Sequence, residues 1–456
     1  MKKLLIIATL AAVGMGACSK DDGVSAPEDL RKYVQVTIPE NAASGETRTS
    51  VDGTTTSWVA GYKVAVSLYN GSTTEVCEFT VDRTGATTTF SGSVPVGSYT
   101  CAAAHYPFCA ATFDAVNKTF THTWGDAYCS TDLAAYDFMF STVYETPFVV
   151  DETTTVLPIA LTFRPLMARI GMKLALGANE TPKYVTFTTD DNVLPTAGTV
   201  NADGTFSASA LTNTLTVETD RKEFTVGLLP VGVASKMSVH VTTTDGMTYS
   251  DKSFQLAGLK RNTHYTMNVP CRTKRFMLTV PDGVNSKYGT GTYKNNEFYS
   301  VDPATDPTGI FKDWYFYRAE LKNTTNTARG DKLKGKNRIQ LQVALGGNNS
   351  NNGAFVTAPI QCDGTKTVTV SFTAANNRAI SANYWIGVTD NGPITSDWLR
   401  DINKISPHAE GLIPRSDNVS HSHTFTVTNG QRIMVKVSNT LGEHHLEFAD
   451  FTYTVE

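Results

Sequence analysis

Charge is scarce in this chain. Only 18% of its 456 residues are Asp, Glu, Lys or Arg, and 39 basic against 43 acidic residues leave a formal net charge of −4. There is no basic block, which argues against nucleic acid as the main partner. Long apolar runs are missing too: beyond the first 18 residues nothing is long and apolar enough to span a bilayer as a helix. Helical periodicity is almost absent. None of the seven cysteines has the Cys-x-x-Cys spacing of zinc or redox sites. H-E-x-x-H, G-x-S-x-G, G-x-x-x-x-G-K-[ST] and G-x-G-x-x-G do not occur, so the chain is expected to be no enzyme and to need no cofactor. Paired carboxylates for glycoside hydrolysis would need a deep cleft, which stacked small sandwiches rarely provide.

What is present is strand and turn chemistry. Alternation such as Val34-Gln35-Val36-Thr37-Ile38 and Lys63-Val64-Ala65-Val66-Ser67-Leu68 marks half-buried strands. Asp52-Gly53, Asn70-Gly71, Asp203-Gly204, Asp245-Gly246, Asp363-Gly364 and Asn429-Gly430 suit turns that need positive φ, so many should close hairpins. The expected fold class is all-β, built of sandwiches. The length predicts about three domains. We place them at 33–146, 147–271 and 276–456, with linkers at 19–32 and at the basic 272–275.

The first 18 residues read as a targeting segment to be set aside before fold reasoning. Lys2 and Lys3 precede the apolar stretch 4–13, and Met15-Gly16-Ala17-Cys18 resembles a bacterial lipobox, which implies lipid modification (palmitate) at Cys18. The Ser19-Lys20-Asp21-Asp22 tract is similar to the surface-export signal of Bacteroidetes lipoproteins, and equally suits a solvated linker. The expected location is the outer membrane, facing outward. Among the other cysteines, Cys77, Cys101, Cys109 and Cys129 fall close enough in sequence for one or two disulfides, or are free buried thiols.

Further motifs follow in order. Thr47-Arg48-Thr49-Ser50 precedes Trp58-Val59-Ala60-Gly61-Tyr62-Lys63. Then come Phe90-Ser91-Gly92, Pro95-Val96-Gly97-Ser98-Tyr99, His105-Tyr106-Pro107-Phe108 and Asp137-Phe138-Met139. Leu161-Thr162-Phe163-Arg164-Pro165-Leu166-Met167-Ala168-Arg169-Ile170 opens the second block and Asn262-Thr263-His264-Tyr265 closes it. Together these resemble the Bacteroidetes fimbrillin family, the subunits and accessory proteins of type V pili. Tyr62 stands where an Asp is usual, and Pro165 where a His is frequent. The resemblance implies two transthyretin-like Greek-key sandwiches and partner pilus subunits joined by strand donation. It also implies protease processing after an N-terminal arginine, for which Arg48 is the candidate and Arg31 the reserve. Residues 33–38 would then be the removable strand. Uncut surface charge is the equal alternative for Arg48.

The third block resembles carbohydrate-binding, galactose-binding-like jelly rolls, on strand pattern alone. It argues for a tip or accessory adhesin, which accepts a strand without having to donate one. Sugar recognition needs flat aromatic faces beside directional polar groups. The candidate set is Trp398 with Asp397 and Arg400, together with Trp314 and Tyr384, and an aromatic cap over the sandwich end is the plainer reading of Trp398. In Trp314-Tyr315-Phe316-Tyr317, alternation puts Trp314 and Phe316 on one face and the tyrosines on the other. His421-Ser422-His423 with Glu443-His444-His445 has metal-ligand residue types, and Asp302, Asp306 and Asp313 are calcium-type ligands. Neither group has a diagnostic spacing, so no metal site is expected. The expected function is a noncatalytic surface adhesin with a glycan or cell-surface receptor as partner. The alternative is a glycan-capturing lipoprotein of a polysaccharide-utilisation system that forms no fibre.

Overall fold

The computed structural model describes residues 30–38, 58–85, 88–201, 203–280, 298–300, 311–322, 332–333, 335–343, 352–376, 381–390, 392–401, 404–414, 418–438 and 444–456. Strands dominate, as the alternation requires, and the described residues gather around three large apolar cores. Cys18 and Arg48 lie outside the described residues.

The turn dipeptides behave as their chemistry dictates. Gly71, Gly204, Gly246, Gly364 and Gly430 all have φ between 66° and 96°, a region that costs glycine little. Three of them close antiparallel hairpins, at Asn70-Gly71, Asp203-Gly204 and Asp245-Gly246. Asp363-Gly364 and Asn429-Gly430 instead carry the chain from one sheet of the last sandwich to the other.

The first core lies under a seven-stranded sheet that starts with Arg31–Ile38 and Thr88–Pro95 and ends with Phe163–Pro165. Trp58, fully buried, meets Phe90, Phe163 and Tyr106 edge-on at centroid distances of 4.9, 5.1 and 5.7 Å. Aromatic edges against ring faces are the favourable geometry for such a centre. The expected boundary after residue 146 falls inside this unit. Phe148–Val150 pairs with Gly97–Tyr99, and Phe148, Leu157, Leu161 and Phe163 all enter the first core. In the opposite direction, the hairpin Thr112–Asp114 and Thr119–Thr123 leaves it, pairing with Leu194–Val200 and burying Phe113 and Phe120 in the second core. The two units interleave, so no single cut in the sequence separates them.

Residues 272–275 are not a linker either. Lys274–Met277 is a strand, paired on one edge with Thr248–Leu256 of the second unit and on the other with His444–Val455 of the third. One ten-stranded sheet therefore runs through both units. The third sandwich packs this sheet against a six-stranded one that contains Tyr315–Tyr317, Ala354–Val356, Arg432–Val437, Ala382–Thr389 and Ile405–Ile413.

The six cysteines after Cys18 are free thiols rather than disulfides. Burial pushes the thiol of Cys77 up to about 11 and that of Cys129 to about 12, so they behave as small core hydrophobes.

Candidate functional site

Alternation along Ala382–Thr389 sends neighbouring aromatics to opposite faces of the six-stranded sheet. Tyr384 points inward. It is fully buried, its hydroxyl lies 2.8 Å from His423 Nε2, and its ring occupies the space a Cβ at Gly411 would need. Trp314 is also fully buried, with Phe276 at 5.0 Å and near-parallel Phe316 and Phe355 at 6.1 and 6.0 Å. Neither ring offers a face to a ligand, so both leave the candidate set as core residues.

Trp398 is only 8% exposed, so of its two readings the open platform is corrected and the packed aromatic remains. It lies in the short helix Ser396–Arg400, started by Thr395, whose hydroxyl accepts a hydrogen bond from the Trp398 amide at 3.2 Å. The helix is strapped onto the outer face of the sheet, where Trp398 packs with Tyr317, Val356, Leu399, Ile405 and Met434. Lys436, fully buried, donates from Nζ to the Leu399 carbonyl at 3.0 Å and fixes the strap. Asp397 is exposed beside it, and the Arg400 side chain lies outside the described residues.

Among the described residues, the part of this face left open is centred on Trp385. Its ring is half-buried, and register places it between Lys436 on one strand and Glu410 on the other. Asn383, two residues back on the same face, donates from Nδ2 to Glu410 Oε1 at 3.1 Å, and Ser438 Oγ donates to the same oxygen at 3.3 Å. Leu412, 54% exposed, continues the surface opposite Asn383. Further across the face, the half-buried ring of Tyr315 lies under the Arg432 guanidinium at 5.6 Å. Arg432 is fixed by the carbonyls of Asp313 and Thr357 at 2.6 and 2.8 Å, and burial pulls its guanidinium below the usual value. An aromatic platform beside an oriented amide and carboxylate can bind a sugar ring by stacking and directional hydrogen bonds. The sequence contained the signal for Trp385, since Asn383-Tyr384-Trp385 alternates; it did not say which face was inward.

The histidines suggested as metal ligands turn inward. His421 and His423 stack on one another at 6.3 Å and on Phe372 at 5.5 and 6.1 Å, and burial lowers both below the ordinary imidazole value. Glu443 and the side chain of His444 lie outside the described residues, and His445 is buried. Among the described residues no three His, Cys, Asp or Glu side chains come together as metal ligands. Asp302 and Asp306 also lie outside the described residues.

No curated protein matches the chain. Among solved structures, a candidate cell adhesion protein from Bacteroides ovatus ATCC 8483 is 16% identical, with 53% of this chain and 92% of that one covered at a TM-score of 0.33. The tip fimbrial protein Mfa3 from Porphyromonas gingivalis with C-terminal truncation is 11% identical over 55% of this chain and 96% of that one, at 0.25. The CBM22-1 xylan-binding domain of Paenibacillus barcinonensis Xyn10C is 12% identical over 32% and 86%, at 0.22. The family match is the firmer finding, because it runs through residues 47–283. That span holds Trp58 at the centre of the first core, the interleaved hairpin, and the whole second unit up to the strand that joins the third. The chain belongs to the fimbrillin-like family.

Proposed function

We propose that this protein is a surface adhesin of the fimbrial type, a tip or accessory subunit, that binds glycan through the outer face of its C-terminal sandwich. The family supports fimbrial assembly with other pilus subunits. The observation that carries the glycan reading is Trp385, half-buried on an otherwise strapped face, with Asn383 and Glu410 fixed beside it. Single sites of this kind are shallow and weak, and gain from multivalent display on a fibre or cell surface. The intact protein on a glycan array is the test. Trp385→Ala is expected to reduce binding at least tenfold, as a central aromatic anchor does, and to leave folding unchanged. Trp398→Ala, by contrast, is expected to lower stability by about 3 kcal/mol or more through loss of a buried indole. Binding that survives Trp385→Ala would remove the site, and a blank array would remove the glycan.

Strand exchange is the proposed mode of assembly. The strand Arg31–Ile38 buries Val34, Val36 and Ile38 and pairs along its full length with Thr88–Pro95. Its other edge is held by Gln35, whose N–H donates to the Thr155 carbonyl at 2.9 Å and whose carbonyl accepts from Leu157 at 2.8 Å. Departure of this strand would leave a slot with unpaired backbone on both walls and three apolar sites on its floor, which suits an incoming strand. Arg31 itself is a poor cut site, since it lies in the strand and pairs with Glu75 at 3.0 Å. An arginine-specific protease is therefore expected to cut the native protein after Arg48, read by mass spectrometry. A native chain left intact there would remove the trigger. We also propose lipidation at Cys18 and an outer-membrane, outward-facing location.

A further inference from the structure

We infer that the second and third sandwiches are one cooperative, hinge-free body, locked by a buried charge cluster around Lys274. The strand Lys274–Met277 is shared by backbone pairing with both units, and Lys274 itself is 1% exposed. Its ammonium reaches Glu180 Oε1 at 2.8 Å and Asp245 Oδ2 at 2.9 Å, both from the second unit, and donates to the Gln361 carbonyl of the third. The two carboxylates are otherwise fully engaged. Glu180 accepts from the Tyr249 hydroxyl at 2.6 Å and from the Gly177 amide at 2.9 Å. Asp245 accepts from the Thr243 hydroxyl at 2.5 Å and from the Gln361 amide of the third unit at 3.2 Å. Two buried carboxylates tolerate one another only while a cation sits between them, so the ammonium is the pin of the joint.

Two further contacts cross the same seam. Asp363 of the third unit accepts from the amides of Ala178 and Asn179 at 2.6 and 3.2 Å, closing a loop of the second unit. Met247, from the Asp245-Gly246 hairpin of the second unit, is fully buried in the core of the third together with Phe276. Separate domains joined by a flexible segment share neither a sheet nor a core. A pull on the proposed glycan-binding face would pass into the second sandwich through paired backbone.

Urea unfolding of the full chain, followed by hydrogen exchange, tests this on two sets of peptides: strands Pro182–Thr189 and Ser235–Thr243 for the second unit, Ala382–Thr389 and Arg432–Val437 for the third. In the native protein the two sets are expected to lose protection at one shared midpoint. Lys274→Met is expected to lower that midpoint and split it in two, and Asp363→Ala to lower it less without splitting it. Separate midpoints in the unsubstituted protein would overturn the inference. So would a Lys274→Met protein that folds with an unchanged shared midpoint. If Lys274→Met fails to fold, the unsubstituted protein and Asp363→Ala still decide it.

Discussion

Arg169→Met is expected to destabilise the protein by about 3–5 kcal/mol, measured as a fall in the urea midpoint at pH 7. Arg169, on the strand Ala168–Leu174, forms an ion pair with Asp137, whose side chain is 1% exposed. Burial pushes the Asp137 carboxyl above the usual carboxylate range, and the Arg169 guanidinium opposes that push. Its second oxygen, Oδ1, has no hydrogen-bond partner among the described residues, and the guanidinium makes the buried charge tolerable. Without it, the carboxyl must either stay charged in an apolar site or take up a proton. The loss should therefore shrink as pH falls toward the carboxylate range, because a protonated carboxyl costs less to bury. The double variant Asp137→Leu/Arg169→Met should recover most of the stability, since an apolar pair replaces the ion pair. If the single variant loses under 1 kcal/mol, water reaches Asp137 and the site is wetter than its burial indicates.

Acid should weaken the same region through His105. This imidazole is fully buried between Phe138 and Phe120, both at centroid distances of 5.8 Å. Its Nε2 lies 3.3 Å from the Cys109 carbonyl, which fits a neutral ring donating from Nε2, while Nδ1 has no partner among the described residues. Burial is the main reason its pKa falls from 6.5 to about 4; the Cys109 carbonyl opposes this and His122 adds to it. The folded pKa lies below the unfolded one, so between pH 6.5 and 4 the unfolded chain binds more protons. Stability from this group is therefore complete above pH 6.5 and declines as pH falls through that window, by roughly 3 kcal/mol at pH 4. His105→Phe is expected to remove a decline of roughly 2.5 kcal/mol between pH 7 and 4.5. The slope left over belongs partly to His122, which burial also lowers. An unchanged slope in the variant would assign the acid sensitivity elsewhere.

The strands and turns were legible because they depend on local chemistry: period-2 alternation and the Asx-Gly pairs are written in adjacent residues. The order of motifs also carried the family. Two of those motifs, Asp137-Phe138-Met139 and the run ending Met167-Ala168-Arg169-Ile170, prove to be the two halves of the buried ion pair. Long-range pairing was not legible. Nothing in Thr119–Thr123 says that its partner is Leu194–Val200 rather than a strand of its own sandwich. Lys274 read as part of an exposed basic linker because a lysine is rarely buried, and only the distant Glu180 and Asp245 make its burial affordable. For the candidate site, alternation separated Tyr384 from Trp385 but could not choose the inward face. Trp398 stayed open between platform and cap because nothing in adjacent residues announces the distant, buried Lys436 that holds its helix against the sheet.

The interleaving of the first two sandwiches bears on how the chain acquires its structure. Residues 112–123 emerge from synthesis or export well before 194–200, and Phe113 and Phe120 have no complete core until those later residues arrive. The first sandwich in turn waits for 148–165 to supply its last strands. A nascent chain halted near residue 146 therefore exposes apolar rings and unpaired strand edges, the features that invite aggregation. High sequence separation between partners also slows folding, since the loops must close before their contacts form. Such a chain gains from staying unfolded, and escorted, until its first 270 or so residues are available together.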